Sequence, residues 1–178
     1  MIRGNKTGLR ARHEEDIPVL QSELYDDVKT QASADSVPWR PISPGSKDSP
    51  YAVGQGSDDI AYFSVVDLAT QELAGEALLW GIDTYNRRAH IGISLLPAFR
   101  SRGYGLDVLG TLCEYGFAVR GLHRLQIETS GDNAGMIKVA ERAGFVVEGR
   151  LRLSAWEYGT FADQVVLGLL HGEWKTSG

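Results

Sequence analysis

The sequence predicts an α/β chain built on a mixed, mostly antiparallel sheet of about seven strands, with helices on both faces. Three observations carry that expectation. Apolar runs at 60–66, 73–82 and 89–95 are separated by short connections at 67–72 and 83–88, so consecutive strands fold back antiparallel. A helical stretch then separates 89–95 from a fourth run at 124–128, and a strand that returns through a helical crossover lies parallel to the first. Two more runs, 146–158 and 164–170, end the pattern around a turn expected at 159–163.

The remaining elements follow in order. Residues 9–12 form a short strand candidate. Glu14, Glu15 and Asp16 then place acids in the first turn of a helix over 17–26, where the helix dipole favours them. From 27 to 59 the pattern is lost. Pro38, Pro41, Pro44 and Pro50, with Gly45, Gly54 and Gly56, mark a loop holding one short helix near 28–34. Trp39 and Tyr51 are its large aromatics, suited either to pinning the loop to the core or to meeting a ligand. The run 60–66 is apolar on both faces and reads as well buried. Gly131, Asp132 and Asn133 open a helix over 134–143, which Gly144 ends as a C′ residue. The tail from His171 is expected to fray.

Bulk properties narrow the function. A chain of 178 residues suits one domain with a sizeable core, and 43% hydrophobic with 23% charged residues is ordinary for a globular protein. No apolar run approaches the ~20 residues of a membrane span, and the first twelve residues hold no apolar segment of the signal-peptide kind. The lone Cys113 lies on an apolar helix face and reads as a core residue, which leaves neither an internal disulfide nor a cysteine zinc site. No metal and no membrane partner are expected, and the cytoplasm is the expected compartment. A net charge of −5 argues against nucleic acid and suits a cationic ligand such as an amine.

The most informative stretch is 89–112. Pro97 ends its strand, because proline cannot donate to a sheet ladder. Arg100-Ser101-Arg102-Gly103-Tyr104-Gly105 follows, and then Leu106, Leu109, Leu112, Cys113 and Phe117 mark the buried face of a helix. A helix N-terminus has unpaired N–H groups and a positive dipole end, so it suits phosphate. Gly103 and Gly105 remove side chains that would hold a phosphate off that backbone. A dinucleotide-binding turn would want G-x-G-x-x-G, and here Arg100 stands where its first glycine would be.

Arg100-x-x-Gly103-x-Gly105 after a strand resembles the pyrophosphate loop of the GNAT acyl-CoA N-acyltransferase superfamily. The stretch from Asn133 through Ala140-Glu141-Arg142-Ala143-Gly144-Phe145 is similar to that family's second signature, and it stands at the family's spacing from the first. The opening "LRAR…EED" and the pair Gly159 and Asp163, like a G-x-x-x-D turn, resemble the RimJ/RimL-like subgroup, which acetylates N-termini of ribosomal proteins among other amines.

The resemblance implies the GNAT fold, with a splayed parallel pair of strands that admits the pantetheine arm, and acetyl-CoA as co-substrate. Backbone at Ser94, Leu95 and Leu96 would meet that arm, in a form of strand addition. The amides of Arg102, Gly103, Tyr104, Gly105 and Leu106 would take the pyrophosphate, with Arg100 or Arg102 adding charge. Asn133 would contact the pantetheine or order the loop before its helix, as a helix N-cap also would. The implied reaction is direct attack of a neutral amine on the acyl thioester, with a backbone N–H at 93–95 stabilising the oxyanion.

Two positions depart from the pattern. His90 stands where many relatives carry Glu, and an imidazole can also serve as base. Met136 stands where relatives often carry a Ser that protonates the thiolate; Tyr104, Ser130, Ser154 and Tyr158 are the candidate substitutes. The expected partners are an acyl-CoA and an amine acceptor, either a protein N-terminus or a small molecule. The subgroup resemblance allows a homodimer, although no exposed stripe is legible. A CoA-binding sensor without transfer, and a succinyl-CoA-type transferase, are the alternative readings.

Overall fold

An eight-stranded sheet organises the chain. In the computed structural model, which describes residues 1–54 and 57–175, the strand order is β1 (Ile2–Arg3), β2 (Thr7–Arg10), β3 (Ile60–Asp67), β4 (Leu73–Asp83), β5 (Arg88–Leu95), β6 (Arg124–Ser130), β8 (Thr160–Leu170) and β7 (Val146–Glu157). Every neighbouring pair is antiparallel except β5 and β6, which are parallel. The expectation of about seven strands missed β1, whose two residues pair with Gly8 and Leu9.

One face of the sheet carries the core. Leu79, Ile91, Leu125, Ile127, Leu167 and Leu169 point to α3 (Tyr104–Glu114) and α4 (Ala134–Arg142), where Val108, Leu109, Leu112 and Ala140 are fully buried. Truncating one such leucine to alanine costs roughly 2–5 kcal/mol. α3 runs on through a π-helical turn, Tyr115–Val119. The expected inward face is corrected at its start: Leu106 is only half-buried, and Tyr104 and Val108 fill the core instead. Cys113 is buried as expected, and burial pushes its thiol up to about 12.

The N-terminal helical segment lies over the opposite face, tied to β2 and β3 at its start and packed against β6 and β7 at its end. The helix expected at 17–26 is a composite of a 3-10 turn Glu14–Asp16, α1 (Ile17–Leu20) and a π-helical turn Gln21–Tyr25. Asp16 ties it to the sheet, accepting from the His13 amide at 2.9 Å, the Ser64 hydroxyl at 2.7 Å and the Arg10 guanidinium at 2.7 Å. α2 (Val28–Ala34) occurs where the sequence places it, capped by Asp27. Beyond it the proline-rich loop is pinned down. Trp39 Nε1 donates to the Tyr25 carbonyl at 3.1 Å, the Tyr25 hydroxyl donates to the Arg40 carbonyl at 2.9 Å, and Tyr51 is buried against Arg12. Gly56 lies outside the described residues.

Three further expectations are corrected. The start of β3 is not well buried, since Tyr62 is 46% exposed on the partly uncovered face. The last turn is only two residues, Tyr158 and Gly159, so 160–163 belong to β8. Asp163 is therefore a strand residue; it accepts from the Leu153 amide at 2.9 Å and Arg150 Nη1 at 3.1 Å, where β7 bulges. The tail after β8 is docked rather than frayed up to residue 175. The Trp174 ring lies 5.5 Å from Phe117, and its amide donates to the Leu170 carbonyl.

Candidate active site at the diverging strands

β5 and β6 form a fork. Their parallel ladder, among the described residues, has three steps: Arg88 with Arg124, Ala89 with Leu125 and His90 with Gln126. Beyond His90, β5 stays paired with β4 through Leu95, and β6 stays paired with β8 through Ser130. The break therefore lies between β5 and β6 alone and leaves one edge of each strand open. The Leu96 amide donates to the Ala74 carbonyl at 2.9 Å. Backbone groups alternate along a strand, so those of Ser94 and Leu96 face β4, while Ile93 and Leu95 face the gap. This corrects the expectation for Ser94, which pairs with Glu76 of β4, and for Leu96, whose amide is taken by Ala74 and whose carbonyl accepts from the Phe99 amide; Leu95 is left on the open edge.

β4 can follow β5 closely here because of Gly75. A Cβ at that position would lie 2.3 Å from the Ser94 carbonyl oxygen, and its φ is +152°.

The wide end of the fork meets the Arg/Gly turn. A 3-10 turn, Pro97–Phe99, follows β5, and the chain then takes left-handed conformations at Ser101 (φ +58°) and Gly103 (φ +82°) before α3 starts at Tyr104. Gly103 is the N-cap residue and has no side chain with which to cap. The first-turn acid, Asp107, does not cap the helix. Its carboxylate accepts the amides of Asn5, Lys6 and Thr7 at 2.8, 3.0 and 2.8 Å and the Thr7 hydroxyl at 2.7 Å. That clamp brings Lys6 Nζ to 3.3 Å from the Arg102 carbonyl and next to Gly103. Lys6 escaped the sequence reading because nothing local ties it to a turn almost a hundred residues away.

Arg100 Nε donates to the Leu95 carbonyl at 2.9 Å, so the guanidinium lies at the mouth of the open edge. Arg102 folds over Phe99 and Tyr104 and donates to the Ala98 carbonyl at 3.2 Å. Asn133 caps α4 by accepting the Met136 amide at 3.1 Å, and its Nδ2 donates to Thr129 Oγ1, which fixes the loop after β6. Met136 is half-buried in the first turn of α4.

The narrow end of the fork is polar on the less covered face. His90 stacks on Trp80, ring centroids 4.2 Å apart, and its Nδ1 lies 3.5 Å from Glu128 Oε1. Burial lowers the His90 pKa, Glu128 opposes that, and Arg88 and Arg124 add to the lowering. The lowering favours the neutral imidazole over the imidazolium. On the adjacent strand, β4, Glu76 stands in register with Ser94 and pairs with Arg12 at 2.6 Å. Arg12 also lies over Tyr51 and Tyr62, 5.3 and 5.5 Å from their ring centres. Burial raises the Glu76 carboxyl pKa against the pull of Arg12. Glu76 was detectable as a lone acid in the apolar run Leu73-Ala-Gly-Glu-Ala-Leu-Leu-Trp.

The candidate thiolate acids fare differently. The Tyr104 hydroxyl donates to the carboxylate of Asp67, the last residue of β3, and its ring is buried against Phe99; this corrects its placement as an acid. Ser154 lies in the outermost strand, bonded to Gln164 Oε1 at 2.8 Å, with β8 between it and β6. Tyr158 lies at the hairpin tip, 62% exposed, near Lys29. Ser130, at the end of β6, shares a face with Gln126 and Glu128 and so stands on the diverging arm. Among the described residues, no group of His, Cys, Asp and Glu is arranged to hold a metal ion, and no helix is long and apolar enough to cross a membrane.

Known proteins share this architecture. The spermidine N-acetyltransferase of Vibrio cholerae, solved in complex with CoA and spermine, superposes with a TM-score of 0.84 over 94% of this chain and 97% of that one, at 21% identity. The uncharacterized N-acetyltransferase YoaA of Bacillus subtilis is 30% identical over 101 residues, and the putative ribosomal N-acetyltransferase YdaF of the same organism is 32% identical over 103. These two matches span 57% and 56% of the relatives' own length, respectively. The model of the acetyltransferase (GNAT) domain matches residues 6–146, which takes in the clamp at Lys6, the Arg/Gly turn, the fork and α4. The chain belongs to the GNAT acetyltransferase family.

Proposed function

We propose that the protein transfers an acetyl group from acetyl-CoA to a primary amine by direct attack in a ternary complex. The observation that carries this reading is the unpaired edge of β5, which leads from the uncapped start of α3 to His90. From Leu95 to Ile91 that edge is about 13 Å long, at the usual rise per strand residue. The residues present fit an acyl-CoA. The amides at 103–106 and the cations Lys6 and Arg100 suit its diphosphate, and the backbone groups of Ile93 and the Leu95 amide, which face the gap, suit the amides of its pantetheine arm.

In the reaction the amine nitrogen bonds to the thioester carbonyl carbon and the C–S bond breaks. An N–H on the gap side of β5 stabilises the oxyanion, and His90 takes the proton that the nitrogen loses. A thiolate with a pKa near that of a cysteine, about 8.5, leaves readily, so the step does not depend on an acid at Met136.

The acceptor is a cationic amine. Glu128 stands on the β6 arm of the fork, and the Vibrio cholerae neighbour is described with spermine bound. The RimJ/RimL-like placement and a protein N-terminal acceptor rest on the opening motif and on the likeness to YdaF. A homodimer is supported by the outer hairpin, where Leu153, Trp156, Tyr158 and Phe161 are each more than half exposed.

The test is release of free CoA thiol from acetyl-CoA with a panel of polyamines, small amines and peptides with free N-termini. Saturable turnover with at least one acceptor is expected. Tight CoA binding without transfer to any of them would overturn the reading in favour of a sensor, and turnover confined to succinyl-CoA would replace the donor.

A further inference from the structure

The face that carries His90 holds a row of side-chain contacts that the transfer reaction as described does not use. Arg124 pairs with Glu148, with Nη1 to Oε1 at 2.8 Å. Its Nη2 donates to Gln126 Oε1 at 3.0 Å, and Gln126 Nε2 donates to Glu128 Oε1 at 2.7 Å. The row fixes the Gln126 amide, since its oxygen faces a guanidinium and its nitrogen a carboxylate. Glu128 is thus held at one oxygen, and that oxygen is the one 3.5 Å from His90 Nδ1. Nδ1 is sealed from solvent and, among the described residues, makes no hydrogen bond. A buried polar nitrogen left this way has lost its water without gaining a partner. Nε2 is not sealed, so it is the ring nitrogen that a ligand can reach.

The two residues stand on opposite arms of the fork. His90 is at the last paired step of β5, and Glu128 is two residues past that step on β6. Moving the arms by a few tenths of an ångström as the gap is filled would bring the 3.5 Å contact into hydrogen-bond range.

We propose that Glu128 is the positioning residue for the His90 base: it holds the proton on Nδ1 across the fork, which leaves the Nε2 lone pair facing the acceptor amine. The inference rests on the reading of His90 as base. In the step, the attacking nitrogen forms its bond to the carbonyl carbon and passes its proton to Nε2 as the C–S electron pair leaves with sulfur. The imidazolium so formed is stabilised by the Glu128 carboxylate through Nδ1–H. The charged groups facing His90 are Glu128 on β6, Arg124 on β6 and Arg88 on β5; Trp80 on β4 covers the ring.

The test is the pH profile of kcat for acetyl transfer in wild type, Glu128→Gln, Glu128→Asp and His90→Ala, with CoA affinity measured separately. Glu128→Gln removes the one negative charge that favours imidazolium. Its acid limb is expected to move to lower pH, with kcat down on the order of tenfold and CoA affinity unchanged. Glu128→Asp is expected to return the limb towards its wild-type position. His90→Ala is expected to lose the limb. If Glu128→Gln lowers kcat without moving the limb while His90→Ala abolishes it, the positioning role is overturned and the base survives. If His90→Ala keeps the limb, both fall.

Discussion

The indole of Trp80 and the imidazole of His90 lie stacked, with ring centroids 4.2 Å apart and planes 22° from parallel, at the last step where β5 and β6 still touch. The stack keeps water off one face of the ring, and burial is the largest cause of the lowered His90 pKa. Trp80→Ala removes that cover, so the His90 pKa should rise towards its ordinary value and the acid limb of the rate profile should move to higher pH. His90→Ala should cost about 10²–10⁴ in kcat, the usual contribution of a general base, with CoA affinity retained.

Gly103 holds a left-handed conformation at the helix start, with φ +82°. Gly103→Val should destabilise the fold by about 1–2 kcal/mol from backbone strain alone and weaken CoA binding at least tenfold. Gly105→Ala separates the two effects. The added Cβ would meet Val139 methyls at 3.9 Å, an ordinary contact, and alanine favours a helix over glycine by about 1 kcal/mol. That variant should be as stable as the wild type by urea titration, yet weaken CoA binding severalfold by calorimetry.

Lys6 owes its place to Asp107, which gathers the amides of the β1–β2 turn. Lys6→Ala should weaken CoA binding by roughly threefold to tenfold at 0.05 M salt, and the loss should shrink towards none at 1 M, where the Debye length is about 3 Å. An equal loss at both salt concentrations would assign the effect to the turn rather than to the charge.

Asp16 sets an acid limit on stability. Burial pushes its carboxyl up, but the Arg10 guanidinium, the His13 amide and the Ser64 hydroxyl together hold its pKa down to about 2. A depressed folded-state pKa gives stability that is present above the unfolded value, near 3.9, and is lost as pH falls towards 2. The contribution is about 2.5 kcal/mol. Asp16→Asn should therefore be less stable than wild type at pH 5, by urea unfolding, and the gap should close by pH 2.

What the sequence made legible was what local spacing determines. Gly103, Gly105 and the apolar stripe behind them announce a helix start without a side-chain cap, and Asn133 announces a cap. The helix over 28–34 is bounded by Asp27 and by the polar residues after Ala34. The misses are tertiary. A strand's period of two says that Glu76 and Glu128 share faces with their alternates, but not which half of the sheet a helix leaves uncovered. Tyr104 reads as part of a glycine turn, yet as the first residue of α3 it is drawn inward by Phe99 and Asp67. Lys6 is held by Asp107, far along the chain, and β1, although it pairs with the neighbouring β2, is a two-residue strand with no period to detect.

On the proposed reading, the fork between β5 and β6 holds the acyl donor with its reactive end at His90. A crystal structure with acetyl-CoA bound tests it most directly. The expected result is diphosphate oxygens on the amides at 103–106, the pantetheine arm on the gap-facing groups of Ile93 and Leu95, and the acetyl group beside His90. A donor bound anywhere else on the folded protein, with β5 and β6 still apart and empty between, would contradict it.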